Sequence, residues 1–79
     1  MDYYVYAISS TKQRYIYVGL TKDLPDRFNR HDSGREKTTR NCRPFKIIYT
    51  ELMPDLGSAR KKEKYLKSGI GKEFLKSLD

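Results

Sequence analysis

The sequence predicts an α+β domain, a small three-stranded and mainly antiparallel sheet flanked by helices in the order β-β-α-β-α-α. Three observations predict it. Two segments rich in Tyr, Ile and Val follow one another across a short polar link. Two later segments carry apolar residues at helical spacing, and each runs into a glycine. A third strand-like run lies between those helices, so strands and helices must pack as layers around one core.

The elements follow in order. Residues 3–8 and 14–20 have strand composition, and the link Ser9-Ser10-Thr11-Lys12-Gln13 joins them as an antiparallel hairpin. A period of two puts Ile16, Val18 and Leu20 on one face of the second strand and Tyr15, Tyr17 and Gly19 on the other. Bulky residues on both faces predict a sheet covered on both sides, or carrying a site on one. Asp23 suits an N-cap, with Pro25 and Asp26 in the first turn of a helix that runs to about Ser33 and ends at Gly34. The stripe of this helix is Leu24, Arg27, Phe28 and His31. Residues 35–44 form a charged loop closed by Pro44, and Phe45 to Glu51 is the third strand. Pro54 to Gly57 is a turn, after which Ser58 caps a helix from Ala59 to about Ser68. Its stripe is Ala59, Glu63, Leu66 and Ile70. Gly71 begins a last short helix, Lys72 to Leu78, whose apolar residues are Phe74, Leu75 and Leu78.

Length and composition bound the function. The 79 residues predict a single domain, 1–79, near the lower size for a self-sufficient core. Only 37% are hydrophobic, so seven amphipathic Tyr side chains must share in the core. The lone Cys42 excludes an internal disulfide and has no neighbour at zinc-binding spacing. The N-terminus has no signal-peptide pattern, and no apolar run approaches the roughly 20 residues that span a bilayer. A soluble cytoplasmic protein is expected. The net charge of +7 is not spread evenly: Arg35, Lys37, Arg40 and Arg43 crowd one loop, and Lys61, Lys62, Lys64 and Lys67 crowd one helix. Such stripes suit a phosphate-bearing partner, with Lys22 and the hydroxyls of Thr38 and Thr39 adding to the loop contacts.

Three polar residues interrupt the buried stripes, and such breaks are where function concentrates. Glu63 either pairs with Lys67 one turn on, a common helix pair, or holds a hard cation. Arg27 either neutralises a buried carboxylate or clamps a phosphate in bidentate fashion. His31, one turn from Arg27, is either structural or a proton donor and acceptor. Tyr6 and Tyr17 ordinarily would be packing residues. As a base a tyrosine is weak, since only about one in a thousand is ionised at pH 7. Arg27, a metal on Glu63 and the loop lysines would favour the phenolate. Alternatively His31 takes the proton and a phenol positions the water. Both routes stay open.

The ordered set resembles the GIY-YIG nuclease superfamily. Tyr4-Val5-Tyr6 stands where its first motif would be, and Tyr17-Val18-Gly19 where its second would be. Arg27, His31 and Glu63 match its helix arginine, the histidine one turn later and the metal-binding glutamate. The resemblance covers residues 3 to about 75, and the segments 33–39 and 67–75 are similar to small stand-alone bacterial members. It departs from the pattern at Tyr4, where the motif has Gly, at Leu20, where some repair members have Lys, and at Phe74-Leu75, where many have Asn. The resemblance implies an endonuclease that uses one Mg²⁺ or Mn²⁺ ion on Glu63 and leaves 5′-phosphate and 3′-hydroxyl ends. It implies DNA as partner, at nicks, flaps or branches in repair or recombination, with a partner protein to target it. Tyr6, Tyr17, Arg27, His31 and Glu63 would form the catalytic site, and Lys22, Arg35, Lys37, Arg40 and Arg43 would hold nucleic acid. The rival functions are a nucleic-acid-binding module of the same fold and a protein-interaction domain with core tyrosines. The second leaves Arg27 and Glu63 unexplained unless they pair with each other.

Overall fold

The Tyr- and Val-rich start of the chain forms the middle of a sheet. In the computed structural model, which describes residues 2–79, strand β1 (Tyr3–Ser10) lies between β2 (Ile16–Thr21) and β3 (Phe45–Met53) and pairs antiparallel with both. Ser10 closes the hairpin: its Oγ accepts from the amides of Lys12 at 3.0 Å and Gln13 at 3.1 Å and donates to the Cys42 carbonyl at 2.5 Å. That last bond ties the hairpin to the charged loop, which contains a 3-10 turn at Arg40–Cys42. The register of β1 with β3 shifts at Ala7 and Ile8, which face Tyr49 and Ile47. Ile48 is therefore an extra residue, and the bulge lets both Ile48 and Tyr49 lean on the same core.

Helix α1 (Leu24–Asp32) starts where the sequence predicts, with the Asp23 side chain accepting from the Asp26 amide at 3.1 Å. Helix α2 (Leu56–Lys67) starts three residues before Ala59. Its cap is Asp55, whose Oδ1 takes the Ser58 amide at 2.7 Å, so Ser58 is inside the first turn rather than ahead of it. A carboxylate accepts charge-assisted bonds at a helix N-terminus and faces the positive end of its dipole, which favours Asp55 over a serine. Ser68 then caps helix α3 (Gly69–Leu78), which begins two residues before Gly71. Ile70 consequently lies on α3 and is 73% exposed, off the α2 stripe expected for it.

The sheet is covered on both sides, as the alternation predicts. On one face Val5, Ala7 and Val18 pack with Ala59 and Leu66 of α2 and Leu75 of α3. Each large aliphatic side chain buried there contributes ~1.5–3 kcal/mol. Gly71 allows α3 to fold back tightly on α2: a Cβ there would lie 2.1 Å from the Tyr65 carbonyl oxygen and 2.5 Å from Leu66 Cα. On the other face Tyr6, Ile8 and Phe45 pack with Tyr15, Tyr17, Leu24 and Phe28, under α1 and the loop. Of the apolar set expected on the last helix only Leu75 is buried, and Phe74 and Leu78 remain substantially exposed. No described helix is long and apolar enough to cross a membrane.

Candidate functional site

The hairpin register builds the first part of the site. Tyr6 on β1 stands opposite Gly19 on β2, and Tyr17 lies two residues away on the same face. The missing side chain at Gly19 makes room for both rings. A Cβ there would sit 2.7 Å from the Tyr6 hydroxyl oxygen and 3.0 Å from Tyr17 Cε2. The second-motif glycine thus serves a close approach of aromatic rings.

Helix α1 supplies the next part. Its one-turn spacing brings His31 under the tyrosines, with ring centroids 4.8 Å from Tyr17 and 5.8 Å from Tyr6. His31 Nε2 hydrogen-bonds the Tyr6 hydroxyl at 2.8 Å, and its Nδ1 hydrogen-bonds Thr39 Oγ1 at 2.8 Å. All three are shut away, at 0% exposure for Tyr6, 1% for His31 and 0% for Thr39. The result is a buried polar chain, Tyr6–His31–Thr39, with both ring nitrogens satisfied; no buried side-chain polar atom among the described residues lacks a partner. Thr39, expected at a phosphate, instead holds the histidine. It was the site residue that sequence reasoning misplaced, because a threonine amid charged loop residues gives no sign of burial.

Burial decides the protonation states here. Burial pushes the Tyr6 hydroxyl far above the ordinary phenol value, and Tyr17 adds to it, while the neighbouring Arg27 guanidinium opposes. The desolvation cost thus outweighs the Arg27 guanidinium, and burial favours the neutral phenol at Tyr6. Burial likewise pulls His31 below its ordinary value; Glu36 opposes this, and Arg27 and Arg30 assist it. The chain is therefore a neutral phenol against a neutral imidazole.

Tyr17 and Arg27 are only half-buried, so they form the open side of this cluster. Among the described residues Arg27 makes no ion pair, whereas Arg30 takes Glu36, with Nε to Oε2 at 3.8 Å. The Arg27 guanidinium, beside Tyr6 and His31, keeps its fork of donors for another acidic group.

Glu63 comes from the other side of the sheet. Helix α2 covers the Val5 and Val18 face, and the Glu63 carboxylate, 24% exposed, pairs with Lys67 Nζ at 3.3 Å. It does not pair with Arg27. Its partner Lys67 lines a cleft along the edge of β2 together with Tyr17. Among the described residues no group of three His, Cys, Asp or Glu side chains forms a ready metal cage. One accessible carboxylate, already holding a cationic ammonium, fits an ion such as Mg²⁺, which takes one or two carboxylates and keeps several waters.

The remaining basic residues divide. Lys22 lies over the Tyr3 ring at 5.4 Å, Arg35 Nε donates to Ser33 Oγ at 3.2 Å, and Arg43 donates to the Arg40 carbonyl at 3.3 Å. Lys37 and Arg40 are exposed. On α2, Lys62 is drawn to Glu51 at 3.4 Å and lies over the Tyr65 ring, so that stripe is partly neutralised within the fold.

Comparison with known proteins agrees with this fold. Residues 2–74 match the model of the GIY-YIG catalytic domain. A UPF0213 protein of Staphylococcus saprophyticus is 30% identical over 77 residues, covering 96% of this chain and 94% of that protein. A UPF0213 protein of Clostridium perfringens is 35% identical over 65 residues, covering 81% and 69%. The solution NMR structure of a UPF0213 protein from Bacillus halodurans superimposes with a TM-score of 0.59 at 34% identity, over 100% of this chain and 86% of that one.

Proposed function

The chain belongs to the GIY-YIG catalytic-domain family, and from that premise we propose that it is a divalent-metal-dependent endonuclease that hydrolyses DNA phosphodiester bonds. GIY-YIG domains are nuclease domains that generally use divalent metal ions and act on DNA. The observation that carries the reading here is the half-buried pair Tyr17 and Arg27, set against a buried Tyr6–His31–Thr39 chain that fixes the surrounding rings.

Each group has a distinct part. Arg27, free of any described carboxylate, grips the scissile phosphate with two parallel donors and balances charge as it grows on the phosphoryl oxygens. Tyr17 presents its hydroxyl on the open side and orients the attacking water. Tyr6 and His31, both without solvent access, act through position: their bond holds the Tyr6 ring against Tyr17 and keeps bulk water out. Glu63 would hold the metal ion, releasing Lys67, and the bound ion would stabilise charge on the leaving oxygen. In-line attack would leave 5′-phosphate and 3′-hydroxyl ends. Lys22, Arg35, Lys37, Arg40 and Arg43 would hold flanking phosphates. A grip of so few cations predicts weak, salt-sensitive binding with little base readout, suited to nicks, flaps or branches in repair or recombination.

The test is a panel of end-labelled single-stranded, duplex, flapped and branched DNAs incubated with Mg²⁺ or Mn²⁺. Wild type is expected to cleave at least one of them, and chelation to stop it. Tyr17→Phe, which keeps the ring and removes the hydroxyl, is expected to slow cleavage by about 10² or more. Binding of the same DNAs without cleavage would instead support a non-catalytic nucleic-acid-binding module.

A further inference from the structure

The edge of β2 carries a second feature, which adjoins the tyrosine cluster at Tyr17. An open cleft of about 920 Å³ runs between this edge and the end of α2 and the length of α3. Its lining includes four cations, Arg14, Lys67, Lys72 and Lys76, against one carboxylate, Asp79. Asp79 is already engaged: its side chain accepts from Ser9 Oγ at 2.7 Å and pairs with Lys46 Nζ at 3.2 Å. Lys67 and Lys76 are paired in turn with Glu63 at 3.3 Å and Glu73 at 3.6 Å, so Arg14 and Lys72 are the lining cations without an ion pair among the described residues, and the lining keeps an excess of positive charge. The cleft is also bounded by a free strand edge, since among the described residues β2 pairs only with β1 and its outward backbone groups have no strand partner. Phosphate oxygens accept from both kinds of donor, the ammonium or guanidinium and the backbone N–H. Of the four lining cations, only Lys67 belongs to the basic clusters that the sequence sets against a phosphate-bearing partner.

We propose that this cleft is the track for one single strand of DNA that runs on from the scissile phosphate. Two observations join the cleft to the candidate site. Tyr17 lines it, and so does Lys67, the partner of Glu63. A backbone lying along Arg14, Lys72 and Lys76 therefore leads to Tyr17 and to Lys67, which pairs with Glu63. A cleft of about 920 Å³ takes one backbone at a time, and the free edge of β2 along it offers that backbone N–H donors as well as cations. A positively charged groove that follows a backbone is the usual means of holding a single strand without base readout. This proposal rests on the nuclease reading for its direction, and it names a substrate with a single-stranded arm beside the cut.

The test is equilibrium binding of labelled oligothymidylate and of a blunt duplex across a salt series. Wild type is compared with the cleft triple Arg14→Gln/Lys72→Gln/Lys76→Gln and with the control triple Lys12→Gln/Arg30→Gln/Arg60→Gln. All six positions are exposed, and the control residues lie outside the cleft lining. The cleft triple is expected to lower the salt slope for oligothymidylate by about 2, at roughly 0.7 per lost phosphate contact, and to weaken binding on the order of 10²-fold at about 50 mM salt. Duplex binding is expected to change far less, and the control triple to keep most of the wild-type slope. Equal losses in the two triples, or an unchanged slope in the cleft triple, would overturn the proposal. Cleavage is read separately in the same samples. A wild type that binds through the cleft but never cuts leaves the track standing and removes the nuclease reading. A wild type that cuts, with the cleft triple binding normally, does the reverse.

Discussion

At the scale of single residues, the site is decided by desolvation. Tyr6 and His31 are the right residue types for proton transfer, yet burial holds both neutral and gives their polar atoms to each other and to Thr39. The residue types were legible in the sequence. Their burial was not, because a stripe position says which way a side chain points and nothing of how completely the loop above covers it. The same limit hid Thr39. Thr39→Val keeps the shape and leaves a His31 ring nitrogen buried without a partner, at a cost of roughly 1–3 kcal/mol. Urea unfolding would measure it, and Thr38→Val, at an exposed position, should show almost none of that loss. His31 also sets a pH dependence. Its folded pKa lies below the ordinary 6.5, so the unfolded chain takes up the proton first. Stability is complete above about 6.5 and declines as pH falls below it. Glu51, Asp55 and Asp79, with carboxyls held below their ordinary 4.5 and 3.8, add losses only at lower pH. The urea midpoint should therefore drop between about pH 7 and pH 5.5, and His31→Gln should flatten that slope. A flat profile in wild type would remove the buried, neutral histidine from the account.

At the scale of elements, order and type were legible because periodicity is a strong signal over eight or more residues. The hairpin and the sorting of Ile16, Val18 and Leu20 from Tyr15, Tyr17 and Gly19 follow from alternation alone, and the two cores confirm them. Boundaries were harder. The segment Asp55-Leu56-Gly57-Ser58 offers two capping residues, and only the structure shows that Asp55 takes the amide and Ser58 the first turn. Asp55→Ala should accordingly lower the thermal midpoint clearly more than Ser58→Ala, and the reverse ranking would restore the cap read from sequence. Gly71 was read as a helix start, but its role is contact. Its place against the Tyr65 carbonyl and Leu66 Cα leaves no room for a methyl group, and both obstacles are backbone. Gly71→Ala is expected to cost about 3 kcal/mol, at the upper end for overpacking, because α3 must move off α2. Differential scanning calorimetry would detect it, and a variant as stable as wild type would mean that the two helices are not so closely docked.

At the scale of the whole molecule, the sheet separates two kinds of chemistry and its edge reunites them. The tyrosine, histidine and arginine groups occupy one face, Glu63 belongs to the helix layer on the other, and the β2 edge cleft is where Tyr17 and the Glu63 partner Lys67 share a surface. Sequence order could list these five residues as one set. It could not show that four cluster on one face while the fifth stands in the helix layer of the other, since that depends on which face of the sheet each helix covers. The charge of +7 was legible as a total, whereas its distribution was not: Lys62, Lys67 and Lys76 are paired with Glu51, Glu63 and Glu73, and Arg14, Lys67, Lys72 and Lys76 come together along one cleft. The central claim is that this edge assembles a metal-dependent phosphodiesterase around Glu63. Its most direct test is the single-turnover cleavage rate of Glu63→Gln against wild type in Mn²⁺, on the preferred DNA and with binding measured in parallel. The account predicts a rate lower by at least about 10², with fold and binding retained. Cleavage by Glu63→Gln at the wild-type rate, or no metal-dependent cleavage by either protein, would contradict it.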